Sequence, residues 1–486
     1  MQDAATDRNY YRRKMSGITA SEPVIQQIDR PLSELLKTAQ FSGRLMLCGS
    51  MHDMSRAYMD EPVKSGAWVF ARPILFENRS AVYRPALRES CEHPTPRRES
   101  PLGLGQCKAC NDVSDQIRAG EHDIRVQLAR ESWLPGCEDA ALAVLAWEAL
   151  REEWSKHTKI PLLNTPSKTG QAFLWENFPA KCDLPALDEG LAVYLRANIP
   201  QHRLEMLRRG VTAPFGYDGR WMYAGCALAN DRLPVGEARR VGHFEPYQPG
   251  LYRVAVTIPS TWKHIGLLPM QTERNGKKAW WYPNTPGATI PVTVMEPELT
   301  LAIQQGWEIV DFYDGWAWDK GRPLQNWARK LIEMREAIAR RRDGVRAKNE
   351  RQAQAFDYAY DAIREILNHT IGSLHADTFQ REGVVSAATY REMIEKHGYS
   401  RVRTLETMRG GKRRIIYPAK HQDKLSIFLP HISGTVWSLE RAMIAKHALM
   451  CDYDHLVEIR GDAIYSTSLL DLPDNGHYGQ LRRKGV

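Results

Sequence analysis

The chain has 486 residues, of which 43% are hydrophobic and 26% charged, the composition of an ordinary globular protein. This length exceeds what a single small core requires, so about two to four subdomains are expected. The formal net charge of +8 favours a polyanionic partner only weakly, because 58 acidic residues nearly balance 66 basic ones.

The same features argue against membrane and secreted classes. No uninterrupted apolar stretch reaches about 18 residues, and the N-terminal "MQDAATDRNYYRRKMSG" lacks the apolar core of a signal peptide. The eight cysteines are scattered and do not form the framework of a small disulfide-rich domain. We therefore expect a cytoplasmic, reduced protein without a membrane partner.

A candidate zinc loop follows the first 90 residues, which indicate no particular chemistry. The loop "CEHPTPRRESPLGLGQCKAC" contains Cys91, His93, Cys107 and Cys110. Cys-x-x-Cys is a good half-site for Zn²⁺, and Cys-x-His would supply the other half, although its spacer is shorter than usual. Four ligands would make the site structural. The alternative is a set of thiols and an imidazole with no metal.

Periodic apolar residues predict the helices and strands of the rest of the chain. Helices are expected at 138–157, 185–210, 324–343 and 350–371. Strands are expected between 211 and 310, near 412–430, and at 455–467. The two helices at 324–343 and 350–371 are expected to form an antiparallel hairpin joined by a short Asp-Gly turn.

Two aspartates lie in strand-like surroundings. Asp218, in "FGYDGRWMYAG", borders an apolar run and needs a partner, and Asp462 follows Gly461 at the tip of a hairpin predicted in "LVEIRGDAIYS". Gly-Asp could simply be turn chemistry. Alternatively, two aspartates on neighbouring strands can hold a pair of Mg²⁺ ions, which activate a 3′-hydroxyl and stabilise a leaving pyrophosphate.

A helical stripe lies between these two aspartates in the sequence. Arg364, Asn368 and Gly372, in "YDAIREILNHTIGSLHA", are at positions i, i+4 and i+8 and so share one face of a helix. A cation on that face can hold a triphosphate, and a glycine lets a base pair approach closely. The alternative is a helix with a solvated arginine and a C-terminal glycine cap.

In this order, the three stretches resemble the polymerase motifs of family B DNA polymerases, particularly the protein-primed group of phages and linear plasmids. "YDGRWMYAG" resembles the first motif, Asp-x-x-Ser-Leu-Tyr-Pro, with Asp218 as the catalytic aspartate and Tyr223 as the tyrosine that excludes a ribose 2′-hydroxyl. "REILNHTIG" resembles the second, Lys-x-x-x-Asn-Ser-x-Tyr-Gly, and "IRGDAIYS" the third, Tyr-x-Asp-Thr-Asp-Ser. The resemblance covers roughly residues 210 to 470.

The resemblance implies an α/β (α+β) architecture shaped like a right hand, with a palm, helical-hairpin fingers and a truncated thumb. The expected parts are a mixed N-terminal domain (1–205), palm (206–320 and 376–470), fingers (321–375) and vestigial thumb (471–486). The N-terminal domain would be a degenerate exonuclease-like region. No Asp-x-Glu, the start of the family's proofreading motif, occurs in the sequence, so we expect no proofreading.

The sequence departs from the family pattern at several positions. Arg364 stands where the family usually has lysine, so it keeps the charge but loses a titratable amine. Arg460 replaces the first aspartate of the third motif, Ile371 a tyrosine, and Ala224 a proline. The replaced aspartate is not the main metal ligand of the family.

Other charged residues compete for roles in this scheme. Asp452 and Asp454 are rival carboxylates, ranked lower because they precede the predicted hairpin. Residues 320–351 contain eleven Lys or Arg and four Asp or Glu, which is usually a solvated surface. In a fingers hairpin these cations would face phosphates, and Lys348 and Arg351 are the candidates for triphosphate contact.

The leading hypothesis is a template-directed DNA polymerase of a phage or mobile element. It would use two Mg²⁺ ions, dNTPs and a DNA primer-template, with one structural Zn²⁺ and a terminal protein or other replication partner as further expectations. The alternative is a catalytically inactive polymerase-like DNA-binding protein within a larger complex. A third reading, a zinc nuclease in the N-terminal half, requires an open metal position that the sequence does not show.

Overall fold

The structure is a computed structural model that describes most of the chain beyond residue 132 and seven short strands before it. The described residues are 43–47, 63–65, 68–70, 75–77, 80–83, 85–87, 124–128, 133–134, 136–137, 140–163, 165–179, 187–229, 231–274, 277–375, 380–397, 403–407, 413–418, 429–472 and 476–484. The predicted zinc ligands Cys91, His93, Cys107 and Cys110 lie outside these residues.

The chain divides into two compact units. The first holds Gly170–Ile332 and Leu367–Val486, and the second holds Gly17–Thr169 and Glu333–Ile366. Both contain helices and strands, and all strand pairs but one are antiparallel among the described residues. The mixed α/β class predicted from the sequence is confirmed.

The described strands are numbered in chain order. They are β1 (Gly43–Leu47), β2 (Val63–Ser65), β3 (Trp68–Phe70), β4 (Leu75–Glu77), β5 (Ser80–Tyr83), β6 (Pro85–Leu87), β7 (Ile124–Leu128), β8 (Leu204–Met206), β9 (Phe215–Gly219), β10 (Leu233–Arg240), β11 (Gly250–Thr257), β12 (Met270–Arg274), β13 (Lys277–Trp281), β14 (Thr289–Met295), β15 (Glu308–Gly321), β16 (Gln380–Val385), β17 (Arg403–Thr407), β18 (Arg413–Pro418), β19 (Leu456–Arg460), β20 (Ala463–Ser466) and β21 (Leu481–Arg483).

The described helices are numbered in the same way. They are α1 (Ala140–His157), α2 (Pro166–Glu176), α3 (Glu189–Asn198), α4 (Met222–Ala229), α5 (Glu296–Gln304), α6 (Gln325–Arg346), α7 (Glu350–Leu374), α8 (Ala387–His397) and α9 (Pro430–Ala448). Among the described residues, no helix combines the length and the apolar character that crossing a membrane requires.

In the second unit, β1, β7, β5 and β4 form one sheet in that order, and β2, β3 and β6 form another. The single parallel pair is β1 with β7. Helix α1 agrees with the helix predicted at 138–157, and its apolar face is buried, with Ala146 and Leu150 completely covered.

In the first unit, a four-stranded sheet has the order β10-β15-β11-β14. Helices α3 and α5 contribute to the core at this sheet, where Leu195 of α3 packs with Leu251, Met295 and Trp318. Elsewhere in this unit, β16, β18 and β17 form a three-stranded sheet and β12 pairs with β13.

The helix predicted at 185–210 is wrong over its second half. Helix α3 ends at Asn198, and Ile199 adopts an extended conformation with φ −110° and ψ 120°. Pro200 explains the end, because the ring of a proline disfavours a helical conformation in the residue before it. The basic segment that follows contains strand β8 instead.

The hairpin of α6 and α7 agrees with the prediction except at its turn. The Trp327, Leu331, Met334 and Ile338 stripe of α6 is fully buried, as its spacing predicts. The Asp343-Gly344 pair, expected to form the turn, lies inside α6, and the chain reverses at 347–349. Lys348 therefore lies in the turn and not on the helix.

Helix α9 was not predicted from the sequence. Most of its residues are buried, and it packs against α4, α5 and α3. A helix covered on nearly every side has no polar stripe, so the periodicity that reveals amphipathic helices is missing. Pro430 in its first turn and Lys446 and His447 in its last are the remaining signals of its ends.

Candidate functional site

Of the two predicted catalytic aspartates, Asp218 lies on strand β9, and Asp462 lies in the turn that leads into the neighbouring strand β20. A five-stranded sheet in the first unit has the order β21-β9-β20-β19-β8. Asp218 of β9 is paired in register with Ala463 of β20, and the Gly219 amide donates a 2.8 Å hydrogen bond to the Asp462 carbonyl. Two stretches that are far apart in the sequence therefore meet at one end of this sheet.

Two glycines shape the turn that carries Asp462. A Cβ atom added to Gly219 would lie 3.2 Å from Cβ of Asp462 and 2.7 Å from Cε of Met222. Any larger residue at position 219 would therefore crowd the Asp462 side chain. Gly461 has φ +58°, a left-handed conformation that suits glycine in a hairpin turn. Its amide donates a 2.8 Å hydrogen bond to the Arg203 carbonyl.

Asp218 has an ionic partner within the chain. Nζ of Lys484 lies 3.2 Å from Oδ1 of Asp218, and the two side chains are 42% and 32% exposed. The same ammonium group donates to the Tyr465 hydroxyl at 3.2 Å, and the Lys484 amide donates to the Gly216 carbonyl at 2.8 Å. Burial lowers the pKa of Lys484, but Tyr465 and Asp218 outweigh it, so the net pKa is raised.

Lys484 was missed in the sequence analysis. It follows β21, whose residues 481–483 pair with β9 so that Arg482 lies opposite Asp218. The short basic stretch "LRRK" carries no motif, and only the pairing of β21 with β9 brings it to the aspartate. The segment expected to be a vestigial thumb thus contributes a strand to the sheet that holds the candidate site.

Tyr223 lies on α4 beside the same end of the sheet. Its hydroxyl is 3.2 Å from Nδ1 of His202, and the two rings are nearly parallel, with 18° between their planes and 6.3 Å between their centroids. Burial, and then the Glu440 and Asp462 carboxylates, raise the pKa of Tyr223 far above its usual range. The phenol therefore stays protonated at any pH of interest.

Glu440 of α9 is a second titratable group close to Asp462. Its side chain is buried, with 1% of the residue exposed, and Oε2 has no hydrogen-bond partner among the described residues. Burial raises the pKa of Glu440 to about 8; Arg441 opposes this, whereas Asp462 and Glu298 add to it. The group is mostly neutral at pH 7. Sequence patterns gave no signal for it.

A buried ion pair between α9 and α5 lies close to Glu440 and Tyr223. Nε and Nη2 of Arg441 are 2.9 Å and 2.6 Å from the two carboxylate oxygens of Glu298, and both side chains are buried. Nη1 of Arg441 also donates to the carbonyls of Pro200 and Gln201. Such bidentate geometry compensates part of the desolvation cost. The pair ties α9 and α5 to the segment that contains His202.

The residues of the predicted second motif fall in both units. Arg364, in the second unit, is exposed and lies 3.5 Å from Glu365. Asn368, in the first unit, is half-buried, and its Oδ1 has no hydrogen-bond partner among the described residues. A Cβ atom on Gly372 would meet no atom within 4 Å, so the surrounding protein does not require a glycine there.

Many cations of the hairpin have partners within it. Nη1 of Arg342 and Nη2 of Arg346 lie 3.0 Å and 2.7 Å from the Asp357 carboxylate. The Arg335 guanidinium lies 3.8 Å from the centre of the Tyr360 ring. Lys348 and Arg351, the candidates for triphosphate contact, are both exposed.

The rival carboxylates have structural partners. Asp452 accepts a 3.0 Å hydrogen bond from the Asp454 amide and so caps a short 3₁₀ turn, and Asp454 lies 2.6 Å from Nη2 of Arg208. Both rival carboxylates therefore have partners within the chain.

The donor atoms at Asp218 and Asp462 are of the type that Mg²⁺ prefers. No group of three or more His, Cys, Asp and Glu side chains within the described residues is arranged to hold a metal ion by itself. Mg²⁺ is commonly bound by one or two carboxylates together with water and substrate phosphates. Two aspartates at one end of a sheet fit such a site, in which the substrate supplies the remaining ligands.

Comparisons with known proteins found similarity in structure only. No family model matches the sequence, and no curated protein matches it. An orthorhombic crystal form of Phi29 DNA polymerase is similar with a TM-score of 0.49 and 11% identity, over 74% of this chain and 65% of the polymerase. Its complex with primer-template DNA and incoming nucleotides gives a TM-score of 0.48 and 11% identity, over 82% and 60%.

The complex of Phi29 DNA polymerase with single-stranded DNA is similar to the same extent. Its TM-score is 0.47 with 11% identity, over 74% of this chain and 64% of the polymerase. The chain therefore spans 60–65% of the length of the polymerase structures it resembles. A likeness of this degree concerns the fold, and no activity follows from it.

Proposed function

We propose that the protein is a template-directed DNA polymerase that adds dNTPs to a DNA 3′ end. The observation that carries the proposal is the pairing of β9 with the β19–β20 hairpin, which brings Asp218 and Asp462 to one end of a sheet. The order of the three polymerase-like motifs along the sequence supports it independently.

Each candidate residue has a role in this proposal. Asp218 and Asp462 would hold two Mg²⁺ ions, which when bound activate the 3′-hydroxyl and stabilise the leaving pyrophosphate. Tyr223 would lie under the sugar and exclude a 2′-hydroxyl. Arg364 would bind the triphosphate, as would Lys348 and Arg351, and Asn368 and Gly372 would border the nascent base pair.

Lys484 would act on Asp218 before metal binds. Its ammonium group lies 3.2 Å from Oδ1 and so places a positive charge beside the carboxylate while no metal ion is bound. The pair is partly exposed and therefore weak, so an incoming Mg²⁺ would displace the ammonium group at small cost.

The further parts of the proposal rest on the sequence alone. Residues 206–320 and 376–470 would be the palm, 321–375 the fingers and 471–486 the remnant of a thumb. Residues 1–205 would form an N-terminal domain with a structural Zn²⁺ in its cysteine loop. A terminal protein as partner, a phage or mobile-element origin and the lack of proofreading are proposed on the same basis.

Primer extension tests the proposal directly. A labelled primer on a short DNA template is incubated with dNTPs, Mg²⁺ and either the native chain or Asp462→Asn. Extension by the native chain that falls by several orders of magnitude in the variant would support the proposal. Asp454→Asn is the matched control, because Asp454 is an exposed aspartate bound to Arg208, and it should retain extension.

A second candidate is a polymerase-like DNA-binding protein without catalysis. It is favoured by the cations next to the carboxylates: Lys484 binds Asp218, and the exposed Arg460 stands where the family has an aspartate. In the same experiment this candidate predicts no extension by the native chain, together with a shift of the primer-template that persists when EDTA removes Mg²⁺.

A further inference from the structure

The contact between Tyr223 and His202 joins two separate segments. Tyr223 is in the first turns of α4, and His202 lies 21 residues earlier, in the link between α3 and β8. The hydroxyl-to-Nδ1 distance of 3.2 Å is within hydrogen-bonding range, and the nearly parallel rings place the imidazole alongside the phenol.

The link that carries His202 is anchored on both sides. Arg441 donates to the carbonyls of Pro200 and Gln201 on one side. On the other, the backbone carbonyl of Arg203 accepts a hydrogen bond from the amide of Gly461, in the turn that carries the candidate metal ligand. The backbone at His202 is therefore anchored relative to the β19–β20 hairpin, while the side chain is exposed and contacts Tyr223.

The protonation states suit a hydrogen bond from tyrosine to histidine. The surrounding protein, and then the Arg441 cation, lower the pKa of His202, so its imidazole is neutral at pH 7. With the imidazole proton on Nε2, Nδ1 is an acceptor. The Tyr223 phenol keeps its proton, because its pKa is raised. The hydroxyl can then donate to Nδ1.

We infer that His202 is a positioning residue for Tyr223 and thereby sets the discrimination between deoxyribonucleotides and ribonucleotides. The inference rests on the proposed polymerase function and goes beyond it. A tyrosine ring excludes a 2′-hydroxyl only while it cannot swing away. The Tyr223 ring is fixed at its Cα by α4 and at its hydroxyl by His202, so loss of the histidine frees the far end.

The test measures the ratio of dNTP to rNTP incorporation by the full chain. His202→Ala is expected to lower this ratio about five- to tenfold, the effect of losing one hydrogen bond, while dNTP incorporation changes less. His202→Asn should recover much of the ratio, because its side-chain oxygen can replace Nδ1 as acceptor. His243→Ala, at an exposed histidine elsewhere in the same unit, should keep the native ratio.

A double variant shows whether His202 acts through the tyrosine hydroxyl. Tyr223→Phe should lower the ratio about as much as His202→Ala, and the combination should lower it no further, because both remove the same bond. An unchanged ratio in His202→Ala, or full additivity of the two changes, would overturn the inference while leaving the polymerase proposal intact. Absence of any extension by the native chain would overturn both.

Discussion

The charged groups of the helical hairpin and those beside the five-stranded sheet differ in burial: the hairpin pairs are partly exposed, whereas Glu440 and the pair of Arg441 with Glu298 are buried. In the hairpin, Asp357 binds both Arg342 and Arg346, and Arg335 stacks on Tyr360, so the charges are matched locally. Beside the sheet, Oε2 of Glu440 is buried without a hydrogen-bond partner among the described residues, whereas Asp218 has a partly exposed partner in Lys484, as Asp357 has in Arg346. Buried polar groups are normally satisfied, so unmatched ones point to function.

The largest effect expected is on the buried ion pair behind the sheet. Arg441→Met leaves the Glu298 carboxylate buried without its partner, and we expect a loss of about 3–5 kcal/mol in the free energy of unfolding. Arg346→Met breaks a partly exposed pair of the hairpin and should cost less than about 1 kcal/mol. Urea unfolding of both variants measures the contrast; equal losses would contradict it.

The double variant Arg441→Met with Glu298→Met refines this comparison. Because it removes both charges, it should recover a substantial part of the stability lost in Arg441→Met. If the double variant were as unstable as the single one, the loss would come from the hydrogen bonds to Pro200 and Gln201 instead of from the stranded carboxylate.

The next effect concerns pH. The pKa of Glu440 is about 8 in the folded chain, above its value when unfolded, so its contribution to stability is complete below about pH 4. That contribution is lost as the pH rises from there through about 8. Glu440→Gln cannot ionise and should be more stable than the native chain by about 2–4 kcal/mol at pH 9.

Urea unfolding of both proteins between pH 4 and pH 9, without Mg²⁺, checks the prediction for Glu440. The difference between them should grow steadily with pH. A constant difference would mean that Glu440 is ionised throughout, with an ion-pair partner that outweighs its burial.

A smaller effect is expected at Gly372, where one substitution should change stability and activity in opposite directions. Its Cβ would meet open space, so Gly372→Ala should raise the free energy of unfolding by up to about 1 kcal/mol through helix propensity. If a nascent base pair approaches this residue, primer extension should nevertheless fall. Gly344→Ala in α6, also facing open space, is the control that should gain stability and keep its activity. Equal activity in both variants would remove Gly372 from the site.

The smallest effect expected is at Lys484. Lys484→Met removes the ammonium group that competes for Asp218, so Mg²⁺ should bind about fivefold more tightly, while stability changes by less than about 1 kcal/mol. Calorimetric titration with Mg²⁺ measures this, with Asp218→Asn as the variant that should lose the response. Weaker Mg²⁺ binding in Lys484→Met would show that the lysine assists metal binding.

Local periodicity predicted the elements that have one apolar face. Helix α1 and both hairpin helices fall close to their predicted ranges because each presents a clear stripe. Helix α9 has no such contrast, since it is covered on nearly all sides. Asp343 and Gly344 favour a turn, but they lie inside helix α6. Burial of the apolar stripe of α6 stabilises the helix more than the turn preference of these two residues opposes it.

Only the part of the candidate site that contains the polymerase-like motifs was predictable, because the order of these motifs in the sequence indicated which strands lie side by side. The neighbouring positions of β9 and β20 are as the motif order predicts, although the roles of their aspartates stay predictions. His202, Glu440 and Lys484 were missed because pairing across the fold, and not spacing along the chain, brings them to the site.

The strand that carries Asp218 has a consequence for the order of folding. Both neighbours of β9 in the sheet, β20 and β21, come from the last part of the sequence, about 240 residues later. At a synthesis rate of about 5–20 residues per second, at least about 12 s pass between the synthesis of β9 and the synthesis of β20. During this time both of its edges are open to pairing with other chains. The pairing of β20 and β21 with β9 therefore completes the candidate site and covers both edges of β9 at the same late stage of folding.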